Sequence, residues 1–396
     1  MNNFDWCAPT RVIFGKETHL QIGRILKEYG FSKILVHYGG ESAKKSGLLD
    51  AVLQALEEEK IAYVTLGGVQ ANPVLSLAKE GIRLCIREGV QGILAVGGGS
   101  VIDSAKCIAD GAANPDEDVW RYFLKEAVPQ KALPVGVILT LSASGSEMSQ
   151  SCVMTNEEGW LKRGFNSPTH RPLFAICNPE LTYTVGKFQT GCGTVDILMH
   201  TLERYLGKTK DTPLTDRMAE GLMISVIEAG RRVLADPQDY EARATLMWAG
   251  SLSHNDLTGL GRDYVMQVHQ LEHELSGRYP QIAHGAGLAA LFPTWARYVC
   301  KEDTMRFAQL AVRVWGESMD FEHPERTALL GIERFEEYFR SLEMPVRLSQ
   351  LDIRLTEEDI QIMAEKCTFF GKRTLTGIRN LGQPEMEEIY RLAMEA

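Results

Sequence analysis

The stretch Gly92-Ile93-Leu94-Ala95-Val96-Gly97-Gly98-Gly99-Ser100 decides the fold. A short apolar run enters three consecutive glycines, and a helical pattern through Asp103, Ala105, Lys106 and Ile108 follows directly. That order is strand, glycine turn, helix. Glycines let the backbone approach a ligand closely, and a helix N-terminus offers unpaired N–H groups and partial positive charge suited to a diphosphate. The plain alternative is a tight turn that binds nothing. Three glycines at a strand end favour the phosphate, although the stricter GxGxxG fingerprint is absent.

Working outward, Ile34-Leu35-Val36, Tyr63-Val64-Thr65-Leu66 and Val135-Gly136-Val137-Ile138-Leu139 are brief apolar runs like those of buried parallel strands. Between them, Ser46 to Glu59 and Val74 to Glu88 repeat apolar positions every three or four residues. The alternation predicts a doubly wound α/β sheet, whose ligands gather beyond the C-terminal strand ends. Tyr38-Gly39-Gly40-Glu41-Ser42 is a second glycine turn at such an end, so one dinucleotide can use both turns. A ribose lying there would let Glu41 accept from a 2′-OH and repel a 2′-phosphate, which favours NAD over NADP. Lys44 and Lys45 pull the other way, and Glu41 can equally be a solvated helix-start residue. The hydroxyl-rich segment Thr140 to Glu147 follows the fourth strand and either lines an adenosine or caps a turn.

Past about residue 185 glycine-ended strands give way to long helical patterns such as Arg217 to Leu234 and Tyr240 to Ser253. We therefore expect an α/β dinucleotide-binding domain over residues 1–186 and an all-α domain over 187–396, with the active site in a cleft between them. A chain of 396 residues carries two domains by default. With 44% hydrophobic and 24% charged residues, it is not a disordered chain. A net charge of −10 argues against nucleic acid or an anionic membrane as partner. The eight cysteines show no CxxC pair and read as free thiols of a cytoplasmic protein. No secretory leader or membrane-spanning run is recognisable.

Asp196 and His200 stand four apart in an otherwise apolar helical pattern, so both project from one face. His269 and His273 likewise share a face, and His284 follows beyond the helix breakers Gly277 and Pro280. Buried carboxylate and imidazole groups need partners. Three imidazoles and one carboxylate suit Fe²⁺ or Zn²⁺ better than Mg²⁺ or Ca²⁺. Spacing alone does not choose which of the three late histidines stays off the metal, and polar core residues remain the alternative.

Gly97-Gly98-Gly99-Ser100 with Asp103 and Lys106, the Thr140 to Glu147 segment, Asp196-x-x-x-His200, and His269-x-x-x-His273 followed by His284-Gly285 resemble the iron-containing (group III) alcohol dehydrogenases. Tyr38-Gly39-Gly40-Glu41-Ser42 is similar to the Tyr-Gly-Gly-Gly-Ser of their butanol dehydrogenase-like branch. The resemblance covers nearly the whole chain. It implies Asp196, His200, His269 and His284 as metal ligands, with His273 near the substrate as a proton relay. It also implies that Gly97, Gly98, Gly99 and Ser100 hold the diphosphate, with Asp103 on the nicotinamide ribose side. Thr140, Ser142 and Ser146 would line the adenosine, and Lys162 would approach the cofactor from the sheet edge, unless it is simply solvated. The implied activity is hydride transfer between NAD or NADP and a small primary alcohol or aldehyde, butanol- or butanal-like, with the metal polarising the substrate oxygen. A homodimer is implied as well.

The chain departs from the family pattern in places. Glu41 replaces a glycine, the gap from His269 to His284 is one residue longer around Tyr279-Pro280-Gln281, and Asn178 stands where an aspartate usually precedes Pro179. Ser142 and Ser144 replace the commoner Pro and Thr. Met199, Trp248, Leu252, Leu257 and Phe165 read either as an apolar substrate lining or as core. Competing readings are a polyol dehydrogenase of the same architecture and a non-catalytic nucleotide- or metal-binding protein.

Overall fold

The computed structural model describes residues 1–395. Two compact units result: Cys7–Thr184, and the chain from Val185 onward together with Met1–Trp6.

The first unit runs β1 (Arg11–Phe14), α1 (Ile22–Glu28), β2 (Lys33–Tyr38), α2 (Ser42–Lys45), α3 (Leu48–Glu58), β3 (Ala62–Leu66), α4 (Leu75–Glu88), β4 (Ile93–Gly97), α5 (Gly99–Ala113), α6 (Trp120–Phe123), β5 (Val135–Leu139), β6 (Ser151–Asn156), β7 (Leu161–Asn166) and β8 (Phe174–Cys177). Six strands form a sheet in the order β1-β8-β5-β4-β2-β3, and every pair is parallel. Every residue of β4, β5 and β8 is buried, as strands covered on both faces must be, which is why their sequences are apolar runs and not alternations. Helix α4 stops where Gly89 takes φ 62: its N–H donates to Ile86 O and that of Val90 to Cys85 O. Strands β6 and β7 form a separate antiparallel hairpin.

Strand β2 lies between β3 and β4, with Tyr38 in register with Val96. The chain thus goes from β2 to one side, then returns to the other. This is the topological switch point of the sheet, and both glycine turns leave it side by side.

The second unit is built from α7 (Lys187–Tyr205), α8 (Pro213–Ala235), α9 (Tyr240–Ser253), α10 (Gln267–Arg278), α11 (His284–Val299), α12 (Thr304–Trp315), α13 (Pro324–Ser341), α14 (Glu357–Cys367) and α15 (Gln383–Met394). Helix α7 is buried at every residue from Thr190 to Tyr205, so it is the central element of this unit. Local signals set the other helix starts: Pro213 opens α8, Asp239 accepts the N–H of Ala242 at the head of α9, and Thr356 with Asp359 forms a capping box on α14.

The N-terminal residues Met1–Trp6 belong to this helical unit, not to the α/β domain in which the sequence reading placed them. Asn2 N–H donates to Gly261 O and Trp6 Nε1 to Asn255 O. No periodic pattern in six residues announces such docking. Among the described residues no helix is long and apolar enough to cross a membrane, and all eight cysteines are free, with only Cys7 exposed.

Candidate functional site

Three helices of the second unit bring the acid and imidazole groups together. Asp196, His200 and Glu203 succeed one another along a single face of α7, while His269, Glu272 and His273 share a face of α10. His284 is the first residue of α11. Asp196 Oδ1 lies 3.5 Å from His200 Nδ1, 3.6 Å from His269 Nε2 and 3.7 Å from His284 Nε2. Donors about 2.1 Å from a tetrahedral cation stand about 3.4 Å apart, close to these separations. The donor atoms of Asp196, His200 and His269 all lie within 4.8 Å of one another, and so do those of Glu272, His273 and His284.

Three of these four atoms have no other partner. Asp196 Oδ1, His200 Nδ1 and His269 Nε2 are buried side-chain atoms with no hydrogen-bond partner, a state that ordinarily costs about 1–3 kcal/mol per group. The charge balance points the same way. Burial opposes protonation of His269, yet the carboxylates of Glu203 and Asp196 overcome it and hold this imidazole up to about 9. His200 goes the other way, pushed well down by burial and by the neighbouring His254, His269 and Arg204. The donor set therefore attracts a positive charge and keeps a neutral imidazole ready beside it, which fits a divalent transition metal.

Two glutamates that the sequence reading did not single out complete this arrangement. Glu203 bonds Nδ1 of His269, and Glu272 bonds Nδ1 of His284. His254, also not singled out, packs edge-on to His200 with ring centroids 4.0 Å apart. His273 lies on the α10 face that carries His269, its ring 5.6 Å from that of His284. Tyr279-Pro280-Gln281, where the resemblance implied an extra residue, lies in the loop between α10 and α11. There the Tyr279 hydroxyl bonds to Arg354 O and to Asp359, and α11 starts at His284. Met199 is fully buried in the core of the helical unit, and within the α/β unit Phe165 packs against Phe123 and His170.

In the α/β unit Gly98 is the N-cap of α5, extended at φ −93 and without a side chain to cap the helix, so the first-turn N–H groups of α5 have no capping partner from it. A Cβ on Gly98 would stand 3.1 Å from Leu141, and one on Gly99 would stand 2.2 Å from Ser144 Oγ. The glycines thus admit the Thr140 to Ser146 segment against the helix start as well as leaving backbone open to a ligand. Thr140 N–H donates to Gly97 O, and Ser142 Oγ is buried without a partner. Gly40 has open space where a Cβ would be, and Glu41 is exposed with Lys44 Nζ 3.6 Å away. Ser42 is the exposed first residue of α2, and Ser100 is half-buried in the first turn of α5.

Other expected residues are held within the unit. Asp103 accepts from Ser146 Oγ at 2.5 Å and from Val153 N–H at 2.9 Å. Buried Lys106 donates to Ser146 O, Ser149 O and Ser151 O, tying the segment after β5 to α5. Lys162 is not solvated: it sits in β7, buried, and donates to Asn72 Oδ1 at 2.8 Å. Asn178 does what an aspartate would do there, since its Oδ1 accepts the N–H of Glu180 after Pro179.

Comparison with known proteins agrees with this geometry. The chain matches the iron-containing alcohol dehydrogenase family over residues 9–179 and the C-terminal domain of that family over residues 190–394. It belongs to that family and is an oxidoreductase that uses a metal and a nicotinamide cofactor. Among individual relatives, it is 40% identical to NADH-dependent butanol dehydrogenase B of Clostridium acetobutylicum, over 99% of each chain. It is 34% identical to the NADPH-dependent aldehyde reductase YqhD of Escherichia coli, over 99% of this chain and all of the relative. The crystal structure of NADH-dependent butanol dehydrogenase A from Thermotoga maritima superposes with a TM-score of 0.94 at 36% identity, covering 100% of this chain and 99% of that one.

Proposed function

We propose that this chain interconverts a small, butanal-like aldehyde and its primary alcohol, with Asp196, His200, His269 and His284 holding a divalent Fe²⁺ or Zn²⁺. The observation that carries the reading is the convergence of three imidazole nitrogens on Asp196 Oδ1 at 3.5–3.7 Å. When bound, the cation supplies Lewis acidity towards a substrate oxygen, and the nicotinamide supplies or takes up hydride. The protein's part is positioning and proton handling. An imidazole nitrogen of His273, on the face of α10 that carries His269, gives the proton to the product alcohol and takes it back in oxidation.

The cofactor's diphosphate rests on Gly97, Gly98, Gly99 and Ser100 at the head of α5, where uncapped N–H groups meet the positive end of the helix. Gly39, Gly40, Glu41 and Ser42 receive the adenosine ribose at the adjoining turn, and Thr140, Ser142 and Ser146 border the adenine. Asp103 and Lys162 complete this binding set. The exposed Glu41 carboxylate favours NADH, so Glu41→Gln should narrow the preference for NADH over NADPH by less than about tenfold. We also infer a homodimer, because β1 leaves one edge of the sheet without a strand partner among the described residues, and a reducing cytoplasmic setting, because the thiols are free.

Following nicotinamide absorbance with butanal, before and after chelation and with added Fe²⁺ or Zn²⁺, tests the reading. Turnover that chelation abolishes and metal restores is expected. A metal-loaded protein that oxidises no NADH or NADPH with butanal would overturn it, and preferred turnover of glycerol would redirect it to polyols.

A further inference from the structure

We propose that Glu203 and Glu272 are the positioning residues of the metal centre, each holding the Nδ1 proton of one histidine so that the Nε2 of that ring faces Asp196. The inference rests on the metal reading above and deepens it. A neutral imidazole carries its proton on one nitrogen and presents a lone pair on the other. A carboxylate accepts only, so its contact with Nδ1 requires the proton to be there. His269 Nδ1 meets Glu203, and His284 Nδ1 meets Glu272. In both rings the opposite nitrogen, Nε2, lies 3.6–3.7 Å from Asp196 Oδ1. Two independent contacts thus keep the proton on Nδ1 of both rings, so that Nε2 is the nitrogen each ring frees for a cation, and both Nε2 atoms face one point.

The glutamates are themselves fixed. Glu203 accepts the backbone N–H of Val268 at 2.6 Å and of His269 at 3.3 Å, which clamps its carboxylate to the first turn of α10 whatever the ring does. Glu272 is fully buried, and Gly287 on α11 leaves room for its side chain: a Cβ there would approach Glu272 Cγ to 2.8 Å. Helix α11 has Ala283 as N-cap and no capping side chain, and Glu272 ties its first residue, His284, to α10. Nearby carboxylates also make an imidazole a stronger base and hence a stronger ligand.

The test is a Co²⁺ titration of metal-free protein, read by visible absorption and by competition with a chelator, beside melting of the metal-free form. Parent, Glu203→Gln, Glu272→Gln and Asp196→Asn are compared. Glutamine keeps the size and one acceptor oxygen, so Glu272→Gln should melt like the parent without metal, whereas Glu203→Gln, which turns an NH2 towards a backbone N–H of α10, should melt lower. Each should bind Co²⁺ about 10–100-fold more weakly. Asp196→Asn should lose the Co²⁺ band. Parent-like Co²⁺ affinity in the Gln variants, with the Asp196→Asn band lost, overturns this inference and leaves the metal reading standing. No band in the parent, or parent-like binding by Asp196→Asn, overturns the metal reading instead. A lower metal-free melting temperature with unchanged affinity marks a structural role and also overturns the inference. Should Glu203→Gln not fold, Glu272→Gln, which leaves the α10 start intact, decides.

Discussion

At the end of β4 the proposed cofactor turn is contiguous: Gly97, Gly98 and Gly99 would act by lacking side chains, leaving the backbone N–H groups at the head of α5 to meet the diphosphate. In the helical unit the proposed metal centre is the opposite case, since Asp196, His200, His269 and His284 would act through side chains delivered by three helices, and the first three carry buried atoms with no hydrogen-bond partner. Substitutions in the two regions should therefore fail differently. Loss in the helical unit should strike the chemical step and spare the fold, whereas loss in the turn should strike cofactor binding and local stability.

The largest effect belongs to His200→Ala, which removes one imidazole from the metal. We expect kcat/KM to fall by about 10³-fold or more, with metal content near zero by elemental analysis. Full activity in metal-replete His200→Ala protein would break the comparison at its strongest point.

Acid should distinguish the α/β unit. His37 in β2 is fully buried, bonded to Leu66 O and Ser104 Oγ, and burial pushes it down to about 4, the bond to Leu66 O opposing. The unfolded chain takes up this proton near pH 6.5, so the contribution is fully present above that pH and is lost as pH falls towards 4. It amounts to about 3 kcal/mol. Urea melts of parent and His37→Gln at pH 7 and pH 4.5 should show the parent losing more stability on acidification. Parallel losses would contradict this.

His273→Ala should lower kcat about 10²-fold while the metal stays bound, because the residue handles a proton and not the cation. Loss of metal together with kcat would move His273 into the coordination sphere. The smallest of these effects is Gly99→Ala. Its Cβ would stand 2.2 Å from Ser144 Oγ, so the segment after β5 must shift, at about 1–3 kcal/mol, with a raised KM for NADH and little change in metal content. An unchanged KM and melting temperature would show that the turn tolerates a side chain.

The same contrast explains what could be read from sequence. Strands β2, β4 and β5 and helices α3, α4, α8 and α9 are legible because apolar runs and three-to-four spacing are local signals. The flanking strands β1 and β8 are only four residues each, too short for a period. The burial of the hairpin is less legible: Lys162 reads either as a cofactor contact or as a solvated residue, yet it is buried on Asn72, and Arg163 beside it is buried with Nη1 on the Lys162 carbonyl.

At the site, Asp196, His200, His269 and His273 are legible because helical spacing puts each pair on one face. Glu203 and Glu272 are not, since glutamate is common on helices and only contact between helices gives these two a purpose. His254 is missed because it follows the end of α9, where no periodicity reports what it touches.

The most direct test of the four-residue centre is an anomalous-difference map from crystals grown with Fe²⁺ or Zn²⁺. The account predicts one strong peak in the helical unit, about 2.0–2.2 Å from Asp196 Oδ1 and from one nitrogen each of His200, His269 and His284. A map with no peak among these side chains, or with the cation bound elsewhere in the chain, would contradict it.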